Sequence, residues 1–209
     1  MGTSLGSLDL GPLRDAECVA AVGVLARAFR DNPLNVAVIG RNVRRRERCN
    51  AHGMRALLPM AQKHGCVLAA RAESGALLGA LVATPPRAYP LPAPPLGRRL
   101  LCLLGQGVRV ARHWECVFHT LDRLHPLEPH WYLSTLGIDP PHQGRGVGAA
   151  LLDHWLARVD RTGGFAYLET DTRANVSFYE RQGFEVEQQL ELLGVPIWRM
   201  TRRGRNGSR

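Results

Sequence analysis

Apolar residues recur at helical spacing between Asp15 and Phe29. Val19, Val22, Leu25, Ala26 and Phe29 share one face, which predicts a helix with Asp15 as its cap. Leu8–Leu13 before it reads as a short strand and turn, and "RDNPLN" after it as a break. A second helix is predicted over Val43–His64, carrying arginines at Arg44–Arg46 and Arg48. "CVLAARAESGALLGALVATPP" has the run–turn–run pattern of a β-hairpin, with its turn at Glu73–Gly75. Pro85–Pro95 is too rich in proline to be helix or central strand. Leu96–Leu124 reads as mainly helical with a less regular period.

The second half alternates strand and helix more plainly. His130–Asp139 ("HWYLSTLGID") is strand-like, Val147–Arg161 helix-like and Phe165–Thr170 ("FAYLET") strand-like. Asn175–Gly183 reads as a short helix, with Asn175 as N-cap and Gly183 as its stop. "FEVEQQLELL" and "PIWRMT" close the pattern as two strands. Strands interleaved with helices predict a single α/β domain over residues 1–201, followed by a basic disordered tail at 202–209.

Composition adds limits. With 45% hydrophobic and 22% charged residues the chain is ordinary for a globular domain. Its longest apolar runs are too short to span a bilayer, so no membrane is expected. The first residues lack a secretory signal, and Gly6 stands where myristoylation wants Ser or Thr. Five scattered cysteines, without metal spacing, suggest reduced and mostly buried thiols in a cytoplasmic protein with no metal. The formal charge of +9 is carried almost wholly by arginine, Lys63 being the one lysine. That balance fits nucleic acid, an acidic surface, a phosphorylated ligand or GC-rich coding alike. Arg44–Arg48 reads as a solvated helix face, few aromatics interleave with the arginines, and no nucleic acid is expected. The histidines, His142 included, read as surface or packing residues.

The densest chemical signal is "DPPHQGRGVGAALL" (Asp139–Leu152), with glycines at every second position. A Walker loop is excluded because no Gly-Lys-[Ser/Thr] is present. Gly144-x-Gly146-x-x-Ala149 imitates a dinucleotide fingerprint, and Glu169 lies at a suitable distance. However, Pro140 and Pro141 separate Ile138 from the first glycine, and too little chain follows for the paired halves. Gln143-Gly144-Arg145-Gly146-Val147-Gly148 fits instead an acyl-CoA loop. There, successive backbone N–H groups and a helix N-terminus face a pyrophosphate, and Arg145 adds charge.

From Trp131 to Val186, "WYLSTLGI", "HQGRGVG", "LET" and "NVSFYERQGFEV" follow in order, and this segment resembles the GCN5-related N-acetyltransferases. Within that family it is most similar to the puromycin N-acetyltransferase group, with "EPHWYLSTLGI" and a near-terminal "WRMTR" as further points. The resemblance implies a mixed, mostly antiparallel sheet splayed between its fourth and fifth strands, with helices on both faces. Residues 130–201 would be the acetyl-CoA-binding half. Backbone of Leu136, Gly137 and Ile138 would pair with pantetheine, Gln143–Gly148 would hold the pyrophosphate, and Asn175 would bond near the thioester. A backbone N–H near Leu136–Ile138 would face the developing oxyanion. Tyr179 would protonate the leaving thiolate. Many relatives carry a glutamate on the fourth strand, where this chain has Ser134 and Thr135. Glu169 is therefore the candidate base, directly or through water, with Asp171 as another. Either Trp131 or Tyr132 would line the acceptor cleft, and Phe29, Asp31, Asn32 and the Pro85–Pro95 loop with Tyr89 would recognise the acceptor. The implied function is acetyl transfer from acetyl-CoA to a small-molecule amine, by a monomer or homodimer. A protein N-acetyltransferase, a non-enzymatic CoA binder and a basic interaction module are the alternatives.

Overall fold

Seven strands join into one sheet in the order β1-β2-β3-β4-β5-β7-β6. The computed structural model describes residues 7–204. Its strands are β1 (Asp9–Pro12), β2 (Cys66–Arg71), β3 (Leu77–Thr84), β4 (Trp131–Ile138), β5 (Phe165–Thr170), β6 (Glu185–Leu192) and β7 (Val195–Arg203). All neighbours are antiparallel except β4 and β5. Those two pair only at Trp131–Ala166 and Tyr132–Tyr167, and then part. The parting has a local cause. Thr135 pairs with Val82 and Leu133 with Ala83, which leaves Ser134 as the extra residue of a bulge. A bulge bends its strand and increases its twist. The Ser134 hydroxyl donates to the Val82 carbonyl at 3.2 Å and fixes the bend.

Helices cover both faces. α1 (Cys18–Ala28) and α3 (Val43–His64) lie on one face, against Val67, Ala69, Ala80 and Val82. α6 (Val147–Arg161) and α7 (Arg173–Glu180) lie on the other, where Leu151, Leu152, Trp155 and Val176 meet Leu81, Leu133 and Leu168. α2 (Pro33–Ile39) and α5 (Val108–Asp122) close a third cluster against Val195 and Ile197 of β7, and α4 (Leu96–Gln106) runs into α5 at Gly107. This is the single α/β domain with a splayed mixed sheet that the pattern and the resemblance imply. No helix among the described residues is long and apolar enough to cross a membrane.

Several local expectations need correction. Asp15 starts a short 3-10 turn and does not cap α1; its carboxylate accepts from Gln62 Nε2 at 3.3 Å, while Glu17, the residue before α1, pairs with Arg71 at 2.6 Å. Val19 is 85% exposed, and the buried stripe of α1 is Ala21, Val22, Val24, Leu25 and Ala26. "RDNPLN" starts a helix rather than only ending one. Asn32 is the N-cap of α2, its side chain accepting from the Asn35 N–H, and Pro33 takes the first helical position. Thr172, not Asn175, caps α7, its hydroxyl accepting the Asn175 N–H at 3.2 Å. The arginine cluster is not wholly solvated. Arg46 is buried, donating to the carbonyls of Arg30, Gly40 and Arg41 and to Asp31. Of the cysteines only Cys49 and Cys66 are buried. Arg202 and Arg203, read as tail, belong to β7, and Arg202 grips Asp160 with both terminal nitrogens at 2.7 and 2.9 Å. Residues 205–209 and the first six residues, including Gly6, lie outside the described residues.

Candidate active site

Where β4 leaves β5, the chain beyond Ile138 is held from two sides. Arg27 of α1 forms a two-pronged ion pair with Asp139, at 2.8 and 2.6 Å. The Gln143 side-chain amide donates to the Ile138 carbonyl at 2.9 Å. Gln143 thus braces the loop, a role beyond the ligand contact expected of it. Gly137 allows α1 to approach β4, since a Cβ there would stand 2.7 Å from Leu25 Cδ2. Leu136 is half-buried beside the core, and Gly137 and Ile138 are buried, all three on the part of β4 that β5 leaves unpaired.

The loop itself has the features of an anion cradle. Gly144 and Gly146 have φ of 71° and 85°, in the left-handed region that side chains disfavour. Nothing lies within 4 Å of where their Cβ atoms would be, so the space beside the loop is open. Gly146 is the N-cap of α6, and no side chain caps that helix. The first-turn N–H groups, from Val147 and Gly148 onward, therefore keep their donors for a ligand, and the helix dipole adds positive potential. Arg145 is exposed on the loop. A pyrophosphate fits this donor set and this open space.

Asn175 lies on the exposed first turn of α7, and Tyr179 is buried near its end between Phe178 and Phe184. Burial, and then the nearby Asp171 carboxylate, push the Tyr179 phenol well above its usual range, so it holds its proton at neutral pH.

On the other side of the split lies a cavity of about 560 Å³. Its floor includes Tyr132, Ser134 and Thr135 of β4 and Glu169 and Thr170 of β5. Trp131 points the opposite way into the core, against Trp155, so Tyr132 is the member of that pair that lines the cleft. Phe29, Asn32 and Tyr89 line the cavity as expected, but Asp31 does not, being held by Arg30 and Arg46. Asp171 reaches the cavity, yet its oxygens accept from Asn32 Nδ2 at 2.7 Å and the Leu34 N–H at 2.9 Å. Those bonds anchor the start of α2 and leave it poorly placed as a base.

Glu169 is different. Burial raises its carboxyl to about 7, against the lowering effect of the nearby Tyr167 and Tyr132 hydroxyls. Even so, Glu169 Oε1 and Tyr167 Oη are buried without a well-formed hydrogen bond. Beside Glu169 stands a histidine pair that the sequence did not mark. His130 Nδ1 lies 2.9 Å from the Glu128 carbonyl, which can only accept, so Nδ1 carries the proton and Nε2 is an acceptor. His125 Nδ1 is 3.0 Å from that Nε2 and must donate to it. His125 Nε2 is thereby left as a bare lone pair, 3.8 Å from Glu169 Oε1 and without another partner. Burial holds the His125 imidazole down to about 4, so it is neutral at pH 7. Two facing acceptors repel unless Glu169 carries a proton, which agrees with its raised pKa. His125 is fixed by stacking on Tyr89 at 3.9 Å, and the Tyr89 hydroxyl donates to Asp122. No local motif flags His125, His130 or Tyr89 as a set. They meet through the α5–β4 loop and the proline-rich loop.

Comparison with known proteins agrees with this architecture. A family profile described as "Acetyltransferase (GNAT) domain" matches residues 103–186. A mycothiol acetyltransferase of Geodermatophilus obscurus is 50% identical over 52 residues, 23% of this chain and 17% of that protein. The N-alpha-acetyltransferase RimI of Mycobacterium tuberculosis is 42% identical over 67 residues, 31% of this chain and 40% of that one. The matches thus span less than half of either relative. A structure from Corynebacterium glutamicum, described as histone acetyltransferase HPA2 and related acetyltransferase, shares the fold. Its TM-score is 0.71 at 23% identity, over 97% of this chain and 99% of that one. Residues 103–186 thus match the GNAT acetyltransferase domain, and nearly the whole chain shares the fold of the Corynebacterium glutamicum structure.

Proposed function

We propose that this protein transfers an acetyl group from acetyl-CoA to the amine of a small molecule, by direct attack of the amine on the thioester. Bound acetyl-CoA supplies an activated carbonyl carbon and a thiolate leaving group. The unpaired end of β4 (Leu136–Ile138) offers backbone groups to the pantetheine arm and an N–H to the developing oxyanion. The Gln143–Gly148 loop and the uncapped start of α6 receive the pyrophosphate, and Asn175 bonds near the thioester. Glu169 takes the proton that the acceptor ammonium must lose before its lone pair can attack, directly or through water. Tyr179 gives its proton to the sulfur as the C–S bond breaks, and the second proton, lost from the acylated nitrogen to solvent, balances the one Tyr179 takes back from solvent. His125 keeps its lone pair toward Glu169 and so favours the protonated carboxyl after transfer.

The observation that carries this reading is the position of Glu169. A carboxylate with a pKa near 7 and an unpartnered oxygen lies on the strand that borders both the split and the cavity. A general base is most useful when its pKa is near the working pH. The test is thiol release from acetyl-CoA with a panel of amines, puromycin included. Amine-dependent release with at least one small amine is expected. Release no faster than background hydrolysis across the whole panel would overturn the proposal.

A further inference from the structure

The chemistry of the cavity restricts what the acceptor can be. Its volume of about 560 Å³ is that of a site for a small organic molecule. Its walls are apolar. Met54, Leu57 and Met60 of α3, Trp114 and Phe118 of α5 and Leu91 of the proline-rich loop all line it. Trp114 and Phe118 stack at 5.3 Å and make a flat aromatic surface.

The charges lining this space are all of one sign. Asp122, Glu169 and Asp171 border the cavity, and among the described residues no lysine, arginine or histidine does. This is notable in a chain with 27 basic residues and a formal charge of +9. Arg199 sits across from Glu169 in the β5–β7 register, but its guanidinium lies over the Tyr167 ring, 5.5 Å from the centroid. Of the three carboxylates, Asp171 is bonded to Asn32 and Leu34, and Asp122 accepts from Tyr89. Glu169, whose side chain is 7% exposed, keeps a buried oxygen without a partner. The aromatic rings of Tyr89 and Tyr132 stand nearby, 5.1 Å apart and edge to face. Such faces favour a cation.

The uncharged polar groups of the lining are mostly committed elsewhere. Asn50 donates to the Ala26 carbonyl, Gln106 to the Cys49 carbonyl, and Ser134 to the Val82 carbonyl. Asn32 and Asn35 bond to each other. A polyhydroxylated acceptor would leave its hydroxyls largely unmatched here, at a cost for each buried polar group. An anionic acceptor would meet three carboxylates.

We infer that the acceptor is a hydrophobic primary amine without an acidic group, its ammonium seated against Glu169 and its apolar body lying between α3 and α5. The identity of the nitrogen as acetyl acceptor rests on the acetyl-transfer proposal above, whereas the preference for a lipophilic cation rests on the cavity alone.

Isothermal titration of the full chain without acetyl-CoA separates the two. The probes are phenethylamine, its neutral counterpart phenethyl alcohol, the anion hydrocinnamate and the polar amine glucosamine. Phenethylamine should bind about ten- to a hundredfold more tightly than the alcohol or glucosamine, the range of a charge-assisted contact, and hydrocinnamate should be weakest. Glu169→Gln should reduce phenethylamine binding to the level of the alcohol and leave the alcohol unchanged. Trp114→Ala should weaken phenethylamine and phenethyl alcohol together. Glucosamine or hydrocinnamate binding as tightly as phenethylamine, or Glu169→Gln affecting amine and alcohol alike, would overturn the inference. If glucosamine releases thiol while phenethylamine does not bind, the inference falls and acetyl transfer stands. If phenethylamine binds as expected but no amine releases thiol, acetyl transfer falls and the cation-selective cavity stands.

Discussion

At the scale of single residues, the proposed reaction asks opposite proton states of Glu169 and Tyr179, and their surroundings set both. Glu169 must be ionised to accept a proton. With its carboxyl near 7, kcat/KM should rise through pH 7 to a plateau, and Glu169→Gln should abolish that rise. The same shift has a consequence for stability. A folded pKa raised from 4.5 to about 7 favours the neutral acid, so its contribution is present below pH 4.5 and is lost as pH rises through 7. Melting temperatures should therefore show Glu169→Gln gaining on the parent between those pH values. Tyr179 must stay protonated, and its burial ensures this. Tyr179→Phe should lower kcat by roughly 10²–10⁴-fold with acetyl-CoA affinity nearly unchanged, the range for loss of a general acid. Unaltered turnover would remove it from the mechanism. Tyr179 could be singled out in the sequence because "NVSFYERQGF" is contiguous. His125 could not, because what makes it interesting is a lone pair aimed at a residue 44 positions away (169 minus 125).

At the scale of elements, the α6 N-terminus and the bulged β4 do most to shape the proposed donor site. Gly146→Val would place a β-branched residue in left-handed backbone and fill the open space beside the loop. It should weaken acetyl-CoA binding by at least about tenfold, as for loss of a hydrogen-bonded contact or two, and unimpaired binding in titration would sink the cradle assignment. The glycine loop and its helix were readable because the motif and the helical period adjoin. The bulge at Ser134 was not, since nothing in "WYLSTLGI" says which residue its neighbour will skip. α2 was missed for a related reason. Asn and Pro both mark breaks, and only their order, cap then first position, marks a helix start. The buried stripe of α1 excludes Val19, because a small-residue helix offers several apolar stripes and packing on β3 and β4 selects one.

At the scale of the whole molecule, α6 ties the donor cradle to the core. Trp155 is fully buried on its sheet-facing side, against Trp131. Trp155→Ala should cost about 3–5 kcal/mol in chemical denaturation, the range for a large core truncation. A loss below about 1 kcal/mol would mean that the sheet face under α6 relaxes freely. The proposed acceptor cavity, in contrast, is assembled from α2, α3, α4, α5, the proline-rich loop and four strands, and no segment of it is long enough to announce itself. Period and contiguous pattern along the sequence reveal the α/β class and the strand, glycine loop and helix from Trp131 to Arg161, while Glu169 and Tyr179 stand out as candidates through the family resemblance. The elements follow from period and turn residues, which local backbone preference is enough to establish, and the two candidates follow from the order of the motifs that carry the resemblance. The tertiary structure alone decided that Glu169 lies beside a neutral histidine pair and that Asp171 is committed to α2. It also decided that a strongly basic chain encloses an apolar cavity whose charged lining, among the described residues, is carboxylate alone. These depend on which side chains distant segments bring together in low dielectric, a property that no local pattern encodes.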